Sequence, residues 1–275
     1  MSFSVNTNAS AFIALQNLNV TNNQLGITQN RINTGLAVSS VKDNSAVFAI
    51  AQNLRSDLGG LNAVQQSIDR GVSTLDVAIS AGETISDLLI QLKEKAVAAS
   101  DAGVDAASRS ALAEDFNALR DQITTIVNNA QFNGTNLIDG GTGSINVLLS
   151  DAGTQTFAVA QQTLALGGAN VTVTASTSFT DASTAQAAVA LVETSLTNVN
   201  KVLTTFGSAS RTLETQKEFV TKLSDTIQTG IGNLVDADLA RESAKLQSLQ
   251  VKQQLGLQAL SIANQAPSSV LGLFR

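Results

Sequence analysis

The sequence contains no cysteine, histidine, tryptophan or tyrosine, and only one proline and one methionine. Without cysteine, the chain can form neither a disulfide nor a thiolate nucleophile. Without histidine, the chain also lacks the most common general base. Because both histidine and cysteine are absent, the usual zinc ligands are missing as well. We therefore expect no enzyme activity, no bound metal and no cofactor.

Charged residues are also few: 16 Lys and Arg against 22 Asp and Glu, giving a net charge of −6. Lys and Arg do not cluster anywhere, and nucleic-acid affinity depends largely on neutralising phosphates with such side chains. Neither nucleic acid nor an anionic membrane surface is therefore an expected partner. No apolar run reaches the ~18 residues of a membrane-spanning helix, and the N-terminus lacks the pattern of a cleaved signal peptide.

What the sequence does have is a long apolar repeat between residues 47 and 96. Every seventh position is apolar or glycine: Val47, Leu54, Leu61, Ile68, Leu75, Gly82, Leu89 and Ala96. A companion row lies three or four residues away: Ile50, Leu58, Val64, Val72, Ile79, Ile85 and Leu92. One helix of this length, ~75 Å at ~1.5 Å per residue, cannot bury its own stripe, so the pattern predicts partner helices. Within it, Gly59-Gly60 indicates a kink or a close contact.

Two further segments have the same repeat and can supply those partners. A shorter apolar series runs from Leu112 to Ala130, and a second long series runs from Val192 to Leu234. Both are predicted to pack antiparallel to the helix of residues 47–96.

Both ends of the chain are nearly free of charge. No charged residue precedes Arg31, and residues 251–275 contain only Lys252 and Arg275. The N-terminal stretch has two heptad series, offset by two positions: Leu18, Leu25, Ile32 and Ile13, Val20, Ile27. An offset of two is about 200° around a helix, so this helix is predicted to be contacted from two sides. The alternative is a low-charge helix enclosed in its own domain.

Between residues 133 and 180 the chain is rich in glycine, threonine, serine and asparagine. Short β-like runs at residues 145–149, 156–160 and 171–173, separated by glycine turns, predict a small hairpin unit at the far end of the bundle. The expected fold is mainly α: a long antiparallel helical bundle or coiled coil from the N- and C-terminal halves, with this β-hairpin unit in the middle. Residues 1–35 with 235–275 are expected to form a terminal helical pair, and residues 36–234 the bundle, including 133–180.

Two motifs could suggest ligand chemistry, and neither is complete. Asp236, Asp238 and Glu242 offer carboxylates to a hard cation, but such sites need more oxygen ligands and a loop. Their position at a helix start is better explained by favourable contact with the helix N-terminus. The glycine-rich residues 140–144 lack the Lys-Ser/Thr of a phosphate-binding loop.

Several segments resemble bacterial flagellin, in the order in which they occur in that family. They are Val5-Asn-Thr-Asn8, Ser39-Ser-Val-Lys-Asp-Asn44, Gly71-Val-Ser-Thr-Leu75, Gln131-Phe-Asn-Gly134, Val235-Asp-Ala-Asp238 and Ala263-Asn-Gln-Ala-Pro-Ser-Ser-Val-Leu-Gly-Leu-Phe-Arg275. The resemblance covers residues 1–140 and 181–275. The short middle is similar to that of the compact flagellins of alphaproteobacteria.

The resemblance implies a structural subunit that polymerises into the bacterial flagellar filament used for swimming. The terminal pair would then line an inner tube, the long helices would form an outer tube, and the hairpin unit would face outward. Implied partners are further copies of the chain or other flagellins, the type III export apparatus with an export chaperone, the filament cap and the hook–filament junction proteins. The implied location is extracellular. A hook–filament junction protein and a secreted helical adhesin or translocator are the alternatives.

Three groups of residues are assigned candidate roles. The expected assembly contacts are Leu18, Leu25, Ile32, Leu255, Leu257, Leu260 and Ile262. In the segment 89–97, which resembles the motif bound by the vertebrate flagellin receptor, Gln91 and Lys95 stand where many flagellins have Arg and Leu. This departure predicts weak receptor recognition. The hydroxyl groups expected to be accessible for glycosylation are those of Thr172, Thr174, Ser176, Thr177 and Ser178.

Overall fold

A computed structural model of the chain describes residues 7–141 and 143–271, with side-chain surroundings as far as Gln265. Its helices are α1 (Ala9–Thr34), α2 (Ser45–Ala99), α3 (Ala106–Asn129), α4 (Ala182–Val235) and α5 (Leu239–Leu271). Its strands are β1 (Gln131–Phe132), β2 (Thr135–Asn136), β3 (Ser144–Leu148) and β4 (Thr156–Ala160). The prediction of a mainly α fold with a small β-hairpin unit in the middle of the chain is confirmed.

The chain divides into two units, which are described separately. One unit is Asp57–Asp225, and the other is made of the two ends of the chain, up to Ser56 and from Thr226. The long helices α2 and α4 contribute residues to both.

The two heptad rows form the core of the unit Asp57–Asp225. On α2 the buried members of the first row are Leu61, Ile68, Leu75, Leu89 and Ala96, and on α4 they are Val192, Val199, Phe206, Leu213 and Val220. Salt bridges join Lys217 to Asp69 at 2.7 Å and Lys93 to Glu193 at 2.8 Å. Because the partner numbers rise on α2 as they fall on α4, the two helices are antiparallel.

Helix α3 begins with an N-cap, and Arg109 near its start donates a hydrogen bond to the last residue of α2. The Asp105 carboxylate accepts a hydrogen bond from the Ser108 amide at 2.8 Å, the arrangement of an N-cap. The Arg109 guanidinium donates to the carbonyl oxygens of Ala99 at 2.9 Å and Val104 at 3.0 Å. The bond to Ala99 satisfies a carbonyl group that the last turn of α2 leaves without a helical partner.

The β3–β4 hairpin packs along the side of α2, so the prediction that it lies at the far end of the bundle is wrong. An amide of β3 donates to Ser67 Oγ at 3.1 Å. A Cβ atom placed on Gly71 would lie 2.5 Å from Val147 Cγ2, and one on Gly60 would lie 2.8 Å from Asp151 Cβ. Since α2 runs unbroken through Gly60, this glycine marks a close contact and not a helix end.

The third β-like run, residues 171–173, is not a strand. Val171 and Val173 are buried, but the Thr172 amide between them donates to Ser195 Oγ at 2.9 Å. The Thr172 hydroxyl donates to the Leu191 carbonyl at 3.0 Å. Helix α4 therefore accepts the backbone hydrogen bond of Thr172 that a neighbouring strand would otherwise take.

A further hairpin, β1–β2, was not predicted. Its strands are joined by Asn133 and Gly134, whose φ angles are +49° and +77°, with Phe132 paired to Thr135. Positive φ at both central residues is typical of the two-residue turn that Asn-Gly favours.

In the unit made of the two ends, the segment after α1 runs beside the end of α4. Gly35, with a φ of +71°, terminates α1, as glycine commonly does. The Ala37 amide donates to the Val235 carbonyl at 2.7 Å, and the Ala237 amide donates to the Gly35 carbonyl at 2.9 Å. This unit has a small hydrophobic core of Ala51, Ile231 and Val235. The partly buried side chains packed against it are Leu36, Val38, Val47, Leu54 and Ile227.

Candidate assembly surfaces

Helices α1 and α5 pack against each other as an antiparallel pair. The Asn8 side chain donates to the Ala263 carbonyl at 2.7 Å, and it also caps α1. At the opposite end of α1, Arg31 Nη1 lies 3.0 Å from Glu242 Oε1. Between these ends, a Cβ atom placed on Gly256 would lie 3.3 Å from Leu18 Cδ1. The missing side chain of Gly256 thus allows the two helices to approach closely.

The two apolar stripes of α1 have different surroundings. Of the first stripe, Leu18 is buried, and Leu25 and Ile32 are half-buried within the unit. The second stripe points away from the rest of the unit: Ile13 is 60% exposed, and Val20 and Ile27 are each 49% exposed. One side of α1 is therefore covered by the chain itself, and the other side is not.

Helix α5 also leaves large apolar side chains uncovered. Leu255, Leu257 and Ile262 are 58%, 54% and 69% exposed. Leu260 is half-buried, whereas Leu249 is almost fully buried. The seven expected assembly residues therefore fall into two groups: Leu255, Leu257 and Ile262 are open to a partner, and Leu18, Leu25, Ile32 and Leu260 are covered in part or in full by their own chain.

The α1–α5 pair carries positive charge in a chain that is negative as a whole. Its cationic residues are Arg31, Arg241, Lys245 and Lys252, and Glu242 is its only carboxylate. The ion pair of Arg31 and Glu242 is largely screened from water, with side chains 31% and 12% exposed. Arg241, Lys245 and Lys252 are exposed.

The acidic residues near the start of α5 act as structural groups. Asp238 Oδ1 accepts hydrogen bonds from the amides of Ala240 at 3.0 Å and Arg241 at 3.1 Å, and so caps the helix. Within the described ranges there is no group of three or more Asp, Glu, His or Cys side chains arranged to hold a metal ion. Nor does any helix in that part of the chain have the length and apolar content to cross a membrane.

The segment that resembles the receptor motif, residues 89–97, belongs to α2, and its Leu89, Leu92 and Ala96 are buried. Gln91 and Glu94 are exposed. Lys95 is half-buried, and its Nζ lies 2.7 Å from Asp115 Oδ2 on α3. This hydrogen bond to Asp115 raises the pKa of the Lys95 ammonium above its usual value. Lys95 therefore places a fixed charge in the segment.

The candidate glycosylation sites differ in how accessible their hydroxyl groups are. The Thr172 hydroxyl is bonded to α4, and Thr177 is half-buried, with its Oγ1 accepting a hydrogen bond from the Thr174 amide at 2.9 Å. Thr174, Ser176 and Ser178 are exposed, and Ser176 lies in a turn. Access therefore favours Ser176 and Ser178 over Thr172.

One exposed feature was missed at the sequence level. Phe219 on α4 is 57% exposed, and Ile90 and Val97 on α2 are 52% and 48% exposed. Ile90 and Val97 have a seven-residue spacing in the sequence, but each directly follows a residue of the main heptad row, so the spacing alone does not indicate a separate exposed pair.

Two family models match the chain. The bacterial flagellin N-terminal helical region matches residues 5–142, and the bacterial flagellin C-terminal helical region matches residues 189–274. The chain is 52% identical to Flagellin FljM of Caulobacter vibrioides, over 99% of this chain and 98% of that protein. It is 36% identical to a flagellin of Brucella melitensis and 30% identical to Flagellin C of Rhizobium meliloti, each over 99% of both chains.

Solved structures share the fold. Bacillus cereus flagellin has a TM-score of 0.50 and 24% identity, over 56% of this chain and 88% of that one. A putative flagellar hook-associated protein from Vibrio parahaemolyticus has a TM-score of 0.58 and 15% identity, over 70% of this chain and 100% of that one. At these identities the likeness is evidence of a common architecture only.

Proposed function

Because the chain belongs to the bacterial flagellin family, we propose that its α1–α5 pair joins neighbouring copies into the inner tube of the filament. The chain is a structural subunit of the flagellar filament. Two observations carry the proposal: the uncovered apolar stripe of α1, with Ile13, Val20 and Ile27, and the exposed Leu257 and Ile262 of α5.

The magnitudes agree with assembly through many repeated contacts. Full burial of an exposed Leu, Ile or Val side chain contributes about 1.5–3 kcal/mol. These five side chains are about half exposed in the single chain, so burying the rest of them contributes about 4–8 kcal/mol in total. Association of two proteins costs about 4–15 kcal/mol in lost freedom of motion. A single contact of this size offsets only the lower part of that range, whereas a subunit held by several neighbours at once gains a clear excess.

The absence of charge from the exposed stripe of α1 also suits enclosure by identical copies. A charge buried without a partner carries a large desolvation cost, and the exposed stripe of α1 contains none. We assign residues 1–35 with 235–275 to the inner tube and residues 36–234 to the outer tube. Ser176 and Ser178 are then surface hydroxyl groups open to glycosylation.

The other partners follow from the family. They are the type III export apparatus, an export chaperone, the filament cap and the hook–filament junction proteins, and the filament lies outside the cell. A hook–filament junction protein is not favoured, because the relatives matched over nearly the full length are flagellins and the hook-associated likeness is one of fold. A translocator would require a continuous apolar hairpin, which the sequence does not contain.

A charge on the open face of α5 tests the proposal. Leu257→Asp should abolish filaments formed after heating to monomer and cooling, as seen by electron microscopy, because the aspartate would be buried between copies. The circular dichroism of the monomer should hardly change, since Leu257 is 54% exposed in the single chain. Gln254→Asp, at an exposed polar position of the same helix, is the matched control and should assemble. Normal filaments from Leu257→Asp would contradict the proposal.

A further inference from the structure

The turn between β1 and β2 contains the only Asn-Gly pair of the sequence. Asn133 and Gly134 are both exposed, and a Cβ atom placed on Gly134 would have nothing within 4 Å. The Asn133 side chain and the Gly134 amide form no hydrogen bond with any residue in the described ranges 7–141 and 143–271. Two neighbouring amide groups in this turn are therefore open to water and free to react.

These two groups can react with each other. The backbone nitrogen of the residue after an asparagine can attack the carbon of the asparagine side-chain amide, which closes a five-membered ring. A Cβ atom on the attacking residue hinders the approach. Gly134 has no Cβ atom, and its conformational freedom allows the peptide to rotate into the geometry of the ring.

The hairpin that holds the turn is small enough to open. It contains two residue pairs, Gln131 with Asn136 and Phe132 with Thr135. Two-stranded hairpins are only marginally stable by themselves, and exposed turns open locally at little cost in free energy. The peptide bond after Asn133 can therefore rotate without unfolding of the helices.

The neighbouring asparagines lack this combination of features. Asn136 is buried, its Nδ2 donates to the Val127 carbonyl at 2.6 Å, and its Oδ1 accepts from the Ile138 amide at 2.9 Å. Asn128 is exposed, but it lies in α3, where the next backbone amide is held by the hydrogen bonding of the helix. Fold and sequence thus single out Asn133 among the asparagines near the hairpin.

We infer that Asn133 is a site of spontaneous deamidation in the folded chain. The Gly134 nitrogen loses its proton and bonds to Asn133 Cγ, the bond from Cγ to Nδ2 breaks, and ammonia leaves with the proton. Water then opens the resulting succinimide at one of its two carbonyl carbons. The net reaction consumes one water, releases one ammonia and changes the formal charge of the chain from −6 to −7.

The two directions of ring opening give different products. If water breaks the bond formed in the first step, aspartate stands at position 133 and the backbone is unchanged. If water breaks the original peptide bond, the product is isoaspartate, and the side-chain methylene becomes part of the backbone. The two-residue turn is then lengthened by one atom, so the pairing of Phe132 with Thr135 is lost in that fraction of the chains.

Peptide mapping of the incubated full-length chain tests the inference. A protease that cuts before aspartate releases residues 121–138, a peptide that contains Asn128, Asn129, Asn133 and Asn136. Mass spectrometry should show deamidation at Asn133 at least about tenfold faster than at Asn128 or Asn136, the equivalent of about 1.4 kcal/mol in activation free energy. The rate should rise with pH, because the attacking nitrogen must lose its proton. The same protease cuts before the aspartate product and not before isoaspartate, so both products are measured.

Two variants serve as controls. Gly134→Ala places a Cβ atom beside the attacking nitrogen and should slow Asn133 to the rate of the other asparagines, whether or not the turn keeps its shape. Ala63→Gly creates a second Asn-Gly pair within α2, where Asn62 and Ala63 are both exposed. Because the helix holds the backbone amide of residue 63 in a hydrogen bond, Asn62 should stay intact in this variant.

Three outcomes would overturn the inference. One is an intact Asn133 after an incubation in which the synthetic peptide of residues 121–138 has deamidated, since the fold would then protect the turn. The others are an unchanged rate in Gly134→Ala, and a rate at Asn62 in Ala63→Gly equal to that at Asn133. None of these measurements requires filaments, so the result is independent of the Leu257→Asp test of assembly.

Discussion

Gly71→Ala tests how closely the β3–β4 hairpin approaches α2. Gly71 is buried, and a Cβ atom at this position would lie 2.5 Å from Val147 Cγ2 and 3.4 Å from Leu213 Cδ1. In a helix interior, alanine is normally about 1 kcal/mol more favourable than glycine. An added methyl group in filled space, however, costs about 1–3 kcal/mol. We expect the crowding to prevail, with a net loss of about 1 kcal/mol in the free energy of unfolding.

Gly59→Ala is the matched control, because Gly59 lies in the same helix and unit but is exposed, with nothing within 4 Å of the added Cβ. This substitution should raise the free energy of unfolding by about 0.5–1 kcal/mol. Urea unfolding of the monomer should therefore give midpoint shifts of opposite sign for the two variants, with unchanged slopes. A stabilisation by Gly71→Ala equal to that of Gly59→Ala would refute the close approach.

A double-mutant cycle identifies the atoms responsible. Val147→Ala removes the methyl group nearest the new Cβ, although it also loses buried apolar surface, since Val147 is only 2% exposed. The double variant Gly71→Ala with Val147→Ala should be more stable than the sum of the single effects, by about 1 kcal/mol. Simple additivity would mean that these two residues are not in contact.

Three further outcomes are expected. Purified monomer should activate the vertebrate flagellin receptor weakly, because Gln91 lacks the planar five-donor fork of arginine and Lys95 is charged. The double variant Gln91→Arg with Lys95→Leu should increase the signal, and potent signalling by the wild-type protein would contradict this prediction. Mass spectrometry of native filaments should find any O-linked sugar at Ser176 in preference to Thr172, whose hydroxyl is bonded to α4; modified Thr172 would count against the fold of this segment. A backbone hydrogen bond in α3 lowers the pKa of Asp105, so its contribution to stability is present above the usual carboxyl pKa and is lost as the pH falls through the lowered value. Asp105→Ala should flatten the acid side of the stability profile, and an unchanged profile would exclude the cap.

The long helices could be predicted because their signal is local and repeated. Ile68, Leu75 and Leu89 on α2 are each fully buried, as the heptad row predicts. The companion row of α2 and the heptad series of α4 predict burial less well in the unit made of the chain ends, where Ile50 is 51% exposed and Leu234 is 38% exposed. A heptad row shows which side of a helix is apolar, but the number of neighbours that cover that side depends on tertiary packing.

The position of the β3–β4 hairpin could not be predicted, because the contacts that hold it join distant parts of the sequence. Ser67 and Gly71 lie about 80 residues before the strand that they contact. Gly60 is an anomaly in a helix, but nothing in the neighbouring sequence identifies Asp151 as the residue that lies against it. The sequence therefore indicates that α2 is closely contacted near Gly60, but it does not identify the residue that makes the contact.

The same limit separates contacts within a copy from contacts between copies. Leu25 and Ile27 lie two residues apart on α1, and both belong to apolar heptad series. Only the placement of α5 makes the first half-buried and leaves the second 49% exposed. A charge at Leu18 or Leu25 would disturb the α1–α5 pair before any assembly begins, and loss of filaments would then say nothing about contacts between copies. The exposed Ile27 and Leu257 are the positions where a charge separates folding of the subunit from growth of the filament.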